Sequence, residues 1–228
     1  MDVVQAIRER KSIRAFKPDQ VPLDLLKKIL EDAMRAPSWA NTQPWEFAVA
    51  TGDKLRAIQE AYVKRGVAAM QKSQSEVARP CAFPEPFASR IKKMQIKERR
   101  GRTTDLEPAE MEERMLINFR NYGATTCIYL LMDKNYMEQE KGINVWGMYD
   151  SGSIVQNIML LAVNYELGTI AQAMAVVYPD IIHKELAIPQ DRLIALGITI
   201  GYPDWDNEVN KDFRDREPLD TMVKFYGF

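Results

Sequence analysis

At 228 residues the chain can bury a substantial core without disulfide or metal staples, and its mixed composition points to one compact α/β-type unit. Its 31 lysines and arginines nearly balance 32 aspartates and glutamates, and a net charge of −1 argues against a nucleic-acid polymer as the main partner. Two cysteines, Cys81 and Cys127, cannot make a disulfide framework, and the single histidine, His183, excludes a histidine-rich metal site and weakens any Ser/His/Asp or Cys/His chemistry.

In chain order, apolar spacing predicts a short helix over residues 3–10 and a better one from Leu23 to Arg35, with Leu25, Leu26, Ile29, Leu30 and Ala33 on one stripe and Pro37 closing it. Glu46 to Thr51 reads as a strand, followed by a helix from Asp53 to about Lys72 whose inner face is Leu55, Ile58, Ala61 and Tyr62. Pro80, Pro84 and Pro86 break the pattern, and the loop they mark leads to a basic segment holding Arg90, Lys92, Lys93, Lys97, Arg99, Arg100 and Arg102. Glu107 to Asn121 reads as an acidic helix and Ala124 to Met132 as a buried strand. Gly147 to Glu166 is the longest helix, with Ile154, Ile158, Leu161, Ala162 and Tyr165 at helical spacing and Gly168 as a left-handed cap. A second buried strand spans Leu193 to Gly201, and a polar tail then ends in Phe225, Tyr226 and Phe228. The organisation expected is one domain, 1–228, with a helical insertion at about 73–121 and an extension at about 203–228. The amino terminus, MDVVQAIRERKS, is charged from its second residue, and no stretch approaches the ~18 apolar residues needed to cross a bilayer. These features give an expectation of a cytoplasmic protein that engages neither membrane nor nucleic acid.

Three separated stretches carry the chemistry. In Glu9 to Phe16 the basic residues bracket a serine, so in an extended chain Arg10, Ser12 and Arg14 point to one side and offer two cations and a hydroxyl. Arginine forks of this kind, joined by Arg216, suit a phosphate, which carries roughly 1.5 to 2 negative charges and several acceptor oxygens. The alternative for each taken alone is a helix-end cation facing water. The second stretch is Pro37-Ser38-Trp39-Ala40-Asn41-Thr42-Gln43-Pro44-Trp45, and the third contains Arg214 and Arg216. With no metal set and no histidine dyad, the reactive group is expected to be a cofactor.

The order and spacing of Arg10-Lys11-Ser12-Ile13-Arg14-Ala15-Phe16, of Pro37 to Trp45, of Gly168-Thr169-Ile170-Ala171-Gln172-Ala173 leading to Tyr178-Pro179-Asp180, of Gly201-Tyr202-Pro203 and of Arg214 to Asp220 resemble the FMN-dependent nitroreductase family, nearest its p-nitrobenzoate reductase-like branch. The resemblance covers nearly the whole chain. It implies an α+β fold, a mostly antiparallel sheet surrounded by helices, in an interlocked homodimer with a swapped C-terminal tail. It implies FMN, with NADH or NADPH as electron donor, and ping-pong hydride transfer to a small nitroaromatic or quinone acceptor. Residue by residue, Arg10, Ser12, Arg214 and Arg216 would hold the phosphate and ribityl end, the Lys11 amide would donate to the flavin, and Arg14 would stabilise charge at the pyrimidine edge. Pro37, Ser38, Trp39, Asn41 and Gln43 would line the flavin from the partner subunit, the alternative for Asn41 and Gln43 being a self-bonded turn. An irregular backbone after Gly168 would bring the amide of Gln172 or Ala173 to flavin N5. No obligatory catalytic side chain is implied.

Arg90, Lys93, Lys97 and Arg100 recur at intervals of three and four, so on a helix they form one cationic face opposite Ile91 and Met94 that could draw in a carboxylate or the extra phosphate of NADPH. The alternative is a solvated face paired with Asp105, Glu107, Glu110, Glu112 and Glu113. Other reductases of the same fold, an ene-reductase or a reductive dehalogenase with Thr169 as its hydroxyl, and a flavin-binding protein without turnover remain the rival functions.

Overall fold

The computed structural model describes residues 1–72, 75–78, 80, 82–98, 107–140, 142–211 and 214–228. Helix α1 (Val3–Glu9) starts where the Asp2 carboxylate accepts the Gln5 amide at 2.9 Å, an N-cap that satisfies one otherwise orphaned donor. Helix α2 (Leu23–Ala33) buries Leu26, Ile29 and Ala33 at helical spacing, as its sequence stripe requires. Strand β1 (Glu46–Thr51) leads into α3 (Gly52–Arg65), which ends earlier than its sequence suggests. Gly66 sits at φ 75°, which ends the helix, and residues 68–72 form a separate 3-10 turn.

Helix α4 (Phe87–Glu98) carries the basic segment, although Arg99, Arg100, Arg102 and Asp105 lie outside the described residues, as do Cys81 and the side chain of Lys97. Helix α5 (Pro108–Phe119) opens on a capping box between Glu107 and Glu110 with proline at its first position. Strand β2 (Thr126–Asp133) is followed by a single turn α6 (Lys134–Met137) and a small hairpin of β3 (Glu138–Gln139) and β4 (Gly142–Ile143). Helix α7 (Val145–Asn164) is capped by Asn144, and after it come β5 (Gly168–Gln172), α8 (Pro179–Leu186), β6 (Arg192–Gly201) and a last turn α9 (Leu219–Met222).

The sheet runs β1-β2-β6-β5, antiparallel throughout, with a register shift between Leu130 and Leu131. Strand β2 is buried from Thr126 to Met132 because helices cover both its faces. On one side Tyr62, Phe119, Tyr178, Ile182 and Ile194 pack together beneath α3, α5 and α8. On the other, Ile29 of α2 and Ile154, Ile158 and Ala162 of α7 close on Ile128 and Ile198. The middle of α7 is thus core of its own chain, while Val145, Trp146 and Tyr149 in its first turns are exposed.

The segment 168–173 differs from the expectation in two ways. Glu166, at φ 59°, takes the left-handed position after α7, so Gly168 is not the cap. Glycine is required there for closeness: a Cβ on Gly168 would lie 2.5 Å from Ile13 Cγ1 and 2.8 Å from Pro203 Cγ. Residues 168–172 are also a regular edge strand, with the irregular turn falling only at Met174–Val176.

Candidate functional site

The tight packing at Gly168 lays the N-terminal segment along β5. Ser12 bridges Thr169 in parallel, and the Ile13 amide donates to the Thr169 carbonyl at 3.0 Å while the Ile13 side chain is buried. The next turn is held from far along the chain: the Arg14 amide donates to Asn210 Oδ1 at 2.8 Å, and Asn210 Nδ2 donates to the carbonyls of Ala15 at 2.7 Å and Asp204 at 2.8 Å. Asn210 is itself 1% exposed. Its role is invisible in the sequence, where it is one polar residue in a polar tail nearly two hundred positions away.

This arrangement separates Lys11 and Ile13 from Arg14. Lys11, Ile13 and Lys17 face one cavity of about 790 Å³, where the Lys11 ammonium lies 4.9 Å from the Trp205 ring centroid. Arg14 and Phe16 face another, of about 650 Å³. Arg10, at the exit of α1, is half-buried, and burial first, then the nearby Arg216 guanidinium, lowers its pKa. A partly desolvated guanidinium beside a second one is a place where an anion is stabilised. Arg216 is held there by its own backbone, Nη1 donating to the carbonyls of Arg214 and Asp215 at 3.0 Å each. Arg214 is half-buried beside it in sequence.

Small residues flank the last residue of β5. Ala171 and Ala173 are exposed while Gln172 between them turns inward, 5% exposed. Thr169 is buried at 1%, so its hydroxyl is not on the accessible side where a dehalogenase would need it.

The stretch from Pro37 to Trp45 is elsewhere in the same chain. Ser38 is extended and Trp39–Asn41 form a 3-10 turn in which Ala40 and Asn41 have φ of 48° and 59°, with Gln43 at 48°. The turn bonds to itself: the Gln43 amide donates to Ser38 Oγ at 3.0 Å, and Gln43 Nε2 donates to the Asn41 carbonyl at 3.3 Å. It is pinned to α7 by the Trp39 amide, which donates to the buried Asp150 carboxylate at 3.0 Å, and Trp39 stacks edge-on against Trp146 at 5.1 Å. Asp150, like Asn210, was not singled out in the sequence; a lone carboxylate inside an apolar helix is the signal that pointed to it.

The opposite end of α7 receives the N-terminus, where the Met1 ammonium donates to Asn164 Oδ1 at 3.0 Å. From Asp150 to Asn164 an α-helix rises about 20 Å. Of the residues predicted for the site, the structure sets Ser12 against Thr169 of β5 and Arg10 beside Arg216, and it pins the turn of Ser38, Trp39, Asn41 and Gln43 to α7 at Asp150.

Helix α4 presents a different face from the one expected. Arg90 is paired with Glu217 at 3.2 Å, donates to Met222 Sδ at 3.6 Å and lies over the Phe87 ring. Its guanidinium thus holds the C-terminal tail, whereas Met94 and Gln95 line the cavity beside Arg14. Lys93 is exposed. Met94 stands only about 40° around the helix from Arg90, which is why it is a neighbour of the cationic stripe and not opposite to it. The cation that α5 adds to the cavity is Arg114, one turn from Met111 and Asn118.

A model of the Nitroreductase family matches residues 7–202. The chain belongs to that family. Among relatives, the nitroreductase chain is 29% identical over 232 residues to a 4-nitrobenzoate reductase of Nocardioides sp. (strain LMS-CY), covering 96% of this chain and 87% of the relative. It is 28% identical over 227 residues to a chloronitrobenzene nitroreductase of Comamonas testosteroni, covering 96% and 94%. In structure, an FMN- and NADPH-dependent nitroreductase NfnB from Sphigopyxis sp. strain HMH superposes with a TM-score of 0.89 at 28% identity over the whole of both chains. The FMN-dependent NfnB of Mycobacterium smegmatis, solved in complex with NADPH, gives 0.87 at 25% identity over 99% of this chain and 100% of that one. The helix-covered antiparallel sheet is therefore the nitroreductase fold. Among the described residues no helix is long and apolar enough to cross a membrane.

Proposed function

We propose that this chain is an FMN-dependent NAD(P)H oxidoreductase that reduces nitroaromatic or quinone acceptors. The observation that carries the reading is Arg10 beside Arg216, on the segment that Ser12 joins to β5, together with the small, exposed Ala171 and Ala173 on either side of that strand's last residue, Gln172. FMN fits this donor set: a dianionic phosphate relieves the two guanidiniums, Ser12 adds a hydroxyl, and a planar ring can approach small side chains that a bulky residue would hold off. When bound, FMN supplies two-electron hydride chemistry.

The chain's own residues bind and orient. Arg10, Ser12, Arg214 and Arg216 hold the phosphate and ribityl end, Arg14 faces the pyrimidine edge as a fixed positive charge, and the backbone near Gln172 and Ala173 fixes the ring. The Lys11 amide reaches the same site, although its side chain lies on Trp205. No proton need come from a side chain, since the acceptor can take protons from water. One accessible face shared in turn by donor and acceptor gives ping-pong kinetics.

The reading further takes the functional unit to be a cytoplasmic homodimer. Pro37, Ser38, Trp39, Asn41 and Gln43, whose turn is pinned to α7 at Asp150, are read as lining the flavin of a second copy, as the family resemblance implies. The exposed Trp39, Trp146 and Tyr149, and the exposed tail residues Leu219, Phe225, Tyr226 and Phe228, give that copy an apolar surface.

The test is the visible spectrum of the purified protein as NADPH or NADH and then 4-nitrobenzoate are added under nitrogen, the donor and acceptor being those named for relatives. A yellow protein that bleaches with one donor and recovers with the acceptor is the expected result. Colourless protein that also refuses added FMN overturns the reading.

A further inference from the structure

The inward-turned side chain of Gln172 belongs to a line of hydrogen bonds whose direction can be worked out from one end. Gln59 Nε2 donates to the Arg120 carbonyl at 3.2 Å and to Asn121 Oδ1 at 3.1 Å. A backbone carbonyl can only accept, so the Gln59 amide has one orientation. Asn121 Oδ1 is then an acceptor, and its Nδ2 donates to Thr199 Oγ1 at 2.9 Å. The single Thr199 proton passes to Gln172 Oε1, which leaves Gln172 Nε2 to donate to Asn118 Oδ1 at 2.6 Å. Thr199 and Asn121 are both buried, so nothing in solvent can reverse the line.

Every step fixes the next, and the last is Asn118. Its oxygen is occupied from inside, so its two Nδ2 protons face the other way, into the cavity of about 650 Å³ that it lines. That cavity is polar where Arg14, Gln95, Arg114, Tyr122 and Asn207 line it, and Met94, Met111 and Met115 give it adaptable apolar surface. Asn118 is oriented from the buried side, and an amide donor held at the end of a polarised chain favours a ligand with an acceptor oxygen over one of the same shape without it.

We propose that Asn118 is a specificity-determining residue: through Nδ2 it donates a hydrogen bond to an oxygen of the electron acceptor, a nitro or quinone oxygen, seated between α4 and α5. This rests on the flavin oxidoreductase reading above. Gln172, Thr199, Asn121 and Gln59 are positioning residues that hold Asn118 in the donating orientation.

The test uses the FMN-loaded full chain with Asn118→Asp and Asn118→Ala. The aspartate keeps an oxygen for Gln172 Nε2 and replaces only the donor, so it separates ligand recognition from support of the fold. Oxidised protein is titrated calorimetrically, without NAD(P)H, with nitrobenzene and with toluene. Protein reduced by NADPH is then mixed rapidly with nitrobenzene or with oxygen. In both variants nitrobenzene binding and reoxidation by nitrobenzene are expected to weaken about tenfold, the worth of one neutral hydrogen bond, while toluene binding, reoxidation by oxygen and FMN content stay unchanged. Should Asn118→Asp be unstable, the alanine variant decides alone. Unchanged nitrobenzene affinity, equal weakening of both ligands, or loss of FMN in place of acceptor binding each overturns the proposal. Wild-type protein that binds no FMN, or that bleaches without being reoxidised by nitrobenzene, defeats the functional reading itself and the proposal with it, a failure visible before any variant is made.

Discussion

The two faces of the sheet are finished differently. Under α3 and α8 the core closes within one chain: Tyr62 meets Tyr178 and Phe119 edge to face at 5.1 and 5.6 Å, Phe119 lies tilted against Tyr178 at 5.9 Å, and the Tyr62 hydroxyl donates to the Ala175 carbonyl at 3.0 Å and accepts from the Tyr178 amide at 3.3 Å. Burial pushes that hydroxyl's pKa up, so it stays a neutral donor. Beside α2 and α7 the covering stops short. Trp146 and Tyr149 on α7 are 52% and 70% exposed, and the tail ends in Phe225, Tyr226 and Phe228 with little covering them. These exposed aromatic side chains are the surface that the proposed second copy would cover.

The sharpest way to break that contrast is to remove the tail. A chain ending after Pro203 loses Asn210, which holds the Arg14 turn, together with Arg214, Arg216 and the aromatic end. The expected product is a colourless monomer by size exclusion and absorbance; a truncated protein that stays dimeric and yellow ends the idea. Tyr149→Asp asks the same question with the fold left alone. At an exposed position it should change the stability of one chain by no more than about 0.5 kcal/mol, yet a charge set in an apolar contact should shift the dimer to monomer at micromolar concentration.

Smaller effects fall on the cations. Arg216→Ala and Arg10→Ala each remove charge-assisted bonds of about 1.5–3 kcal/mol, so FMN affinity, followed by fluorescence quenching, should drop by roughly ten- to a hundredfold. The loss should be the smaller at high ionic strength, where the wild-type advantage is screened. No change in FMN affinity in either variant would place the phosphate elsewhere.

What the sequence made legible divides along the same line. Helices with one apolar stripe, such as α2, and the all-apolar strand β2 could be read because each needs only its own residues to declare its burial. The separation of Arg14 from Lys11 and Ile13 was equally local. What could not be read depended on distant partners. Asn210 clamping Ala15, Asp150 pinning Trp39, and Glu76 accepting the Ile194 amide at 2.7 Å while pairing with Lys134 at 3.0 Å are ordinary polar residues until the fold brings their partners. The pairing of Arg90 with Glu217 was hidden for the same reason, since the two lie 127 positions apart. Gly168 shows how a correct residue can be given the wrong cause: a glycine after a helix suggests a left-handed cap, whereas here Glu166 takes that conformation and the glycine admits Ile13 and Pro203.

That contact joins the finished core to the open rim, so Gly168→Ala should be felt in both. A Cβ 2.5 Å from Ile13 Cγ1 forces the N-terminal segment off β5, at a cost of about 1–3 kcal/mol for overpacking. Thermal unfolding should show the loss, and FMN should bind more weakly because Ser12 and Arg14 move with Ile13. A variant with lowered Tm and unchanged FMN affinity would separate the segment's packing from its role in the site.

The smallest effect expected lies on the finished face. Arg65 donates to both oxygens of Asp180 at 2.6 and 2.7 Å and stacks 4.8 Å from the Tyr178 ring centroid, an orderly arrangement on exposed ground. With side chains 36% and 64% exposed, the pair is screened, and Arg65→Ala should cost no more than about 1 kcal/mol. Its signature is in the pH dependence. The Arg65 bonds lower the Asp180 pKa from its ordinary 3.8, so the contribution is complete above that value and fades as pH falls below it through the folded pKa. Wild type and Arg65→Ala should therefore differ in Tm at neutral pH and converge in strong acid. A difference that persists undiminished at low pH would mean that the stacking of Arg65 on Tyr178, which does not titrate there, holds this corner together instead of the ion pair.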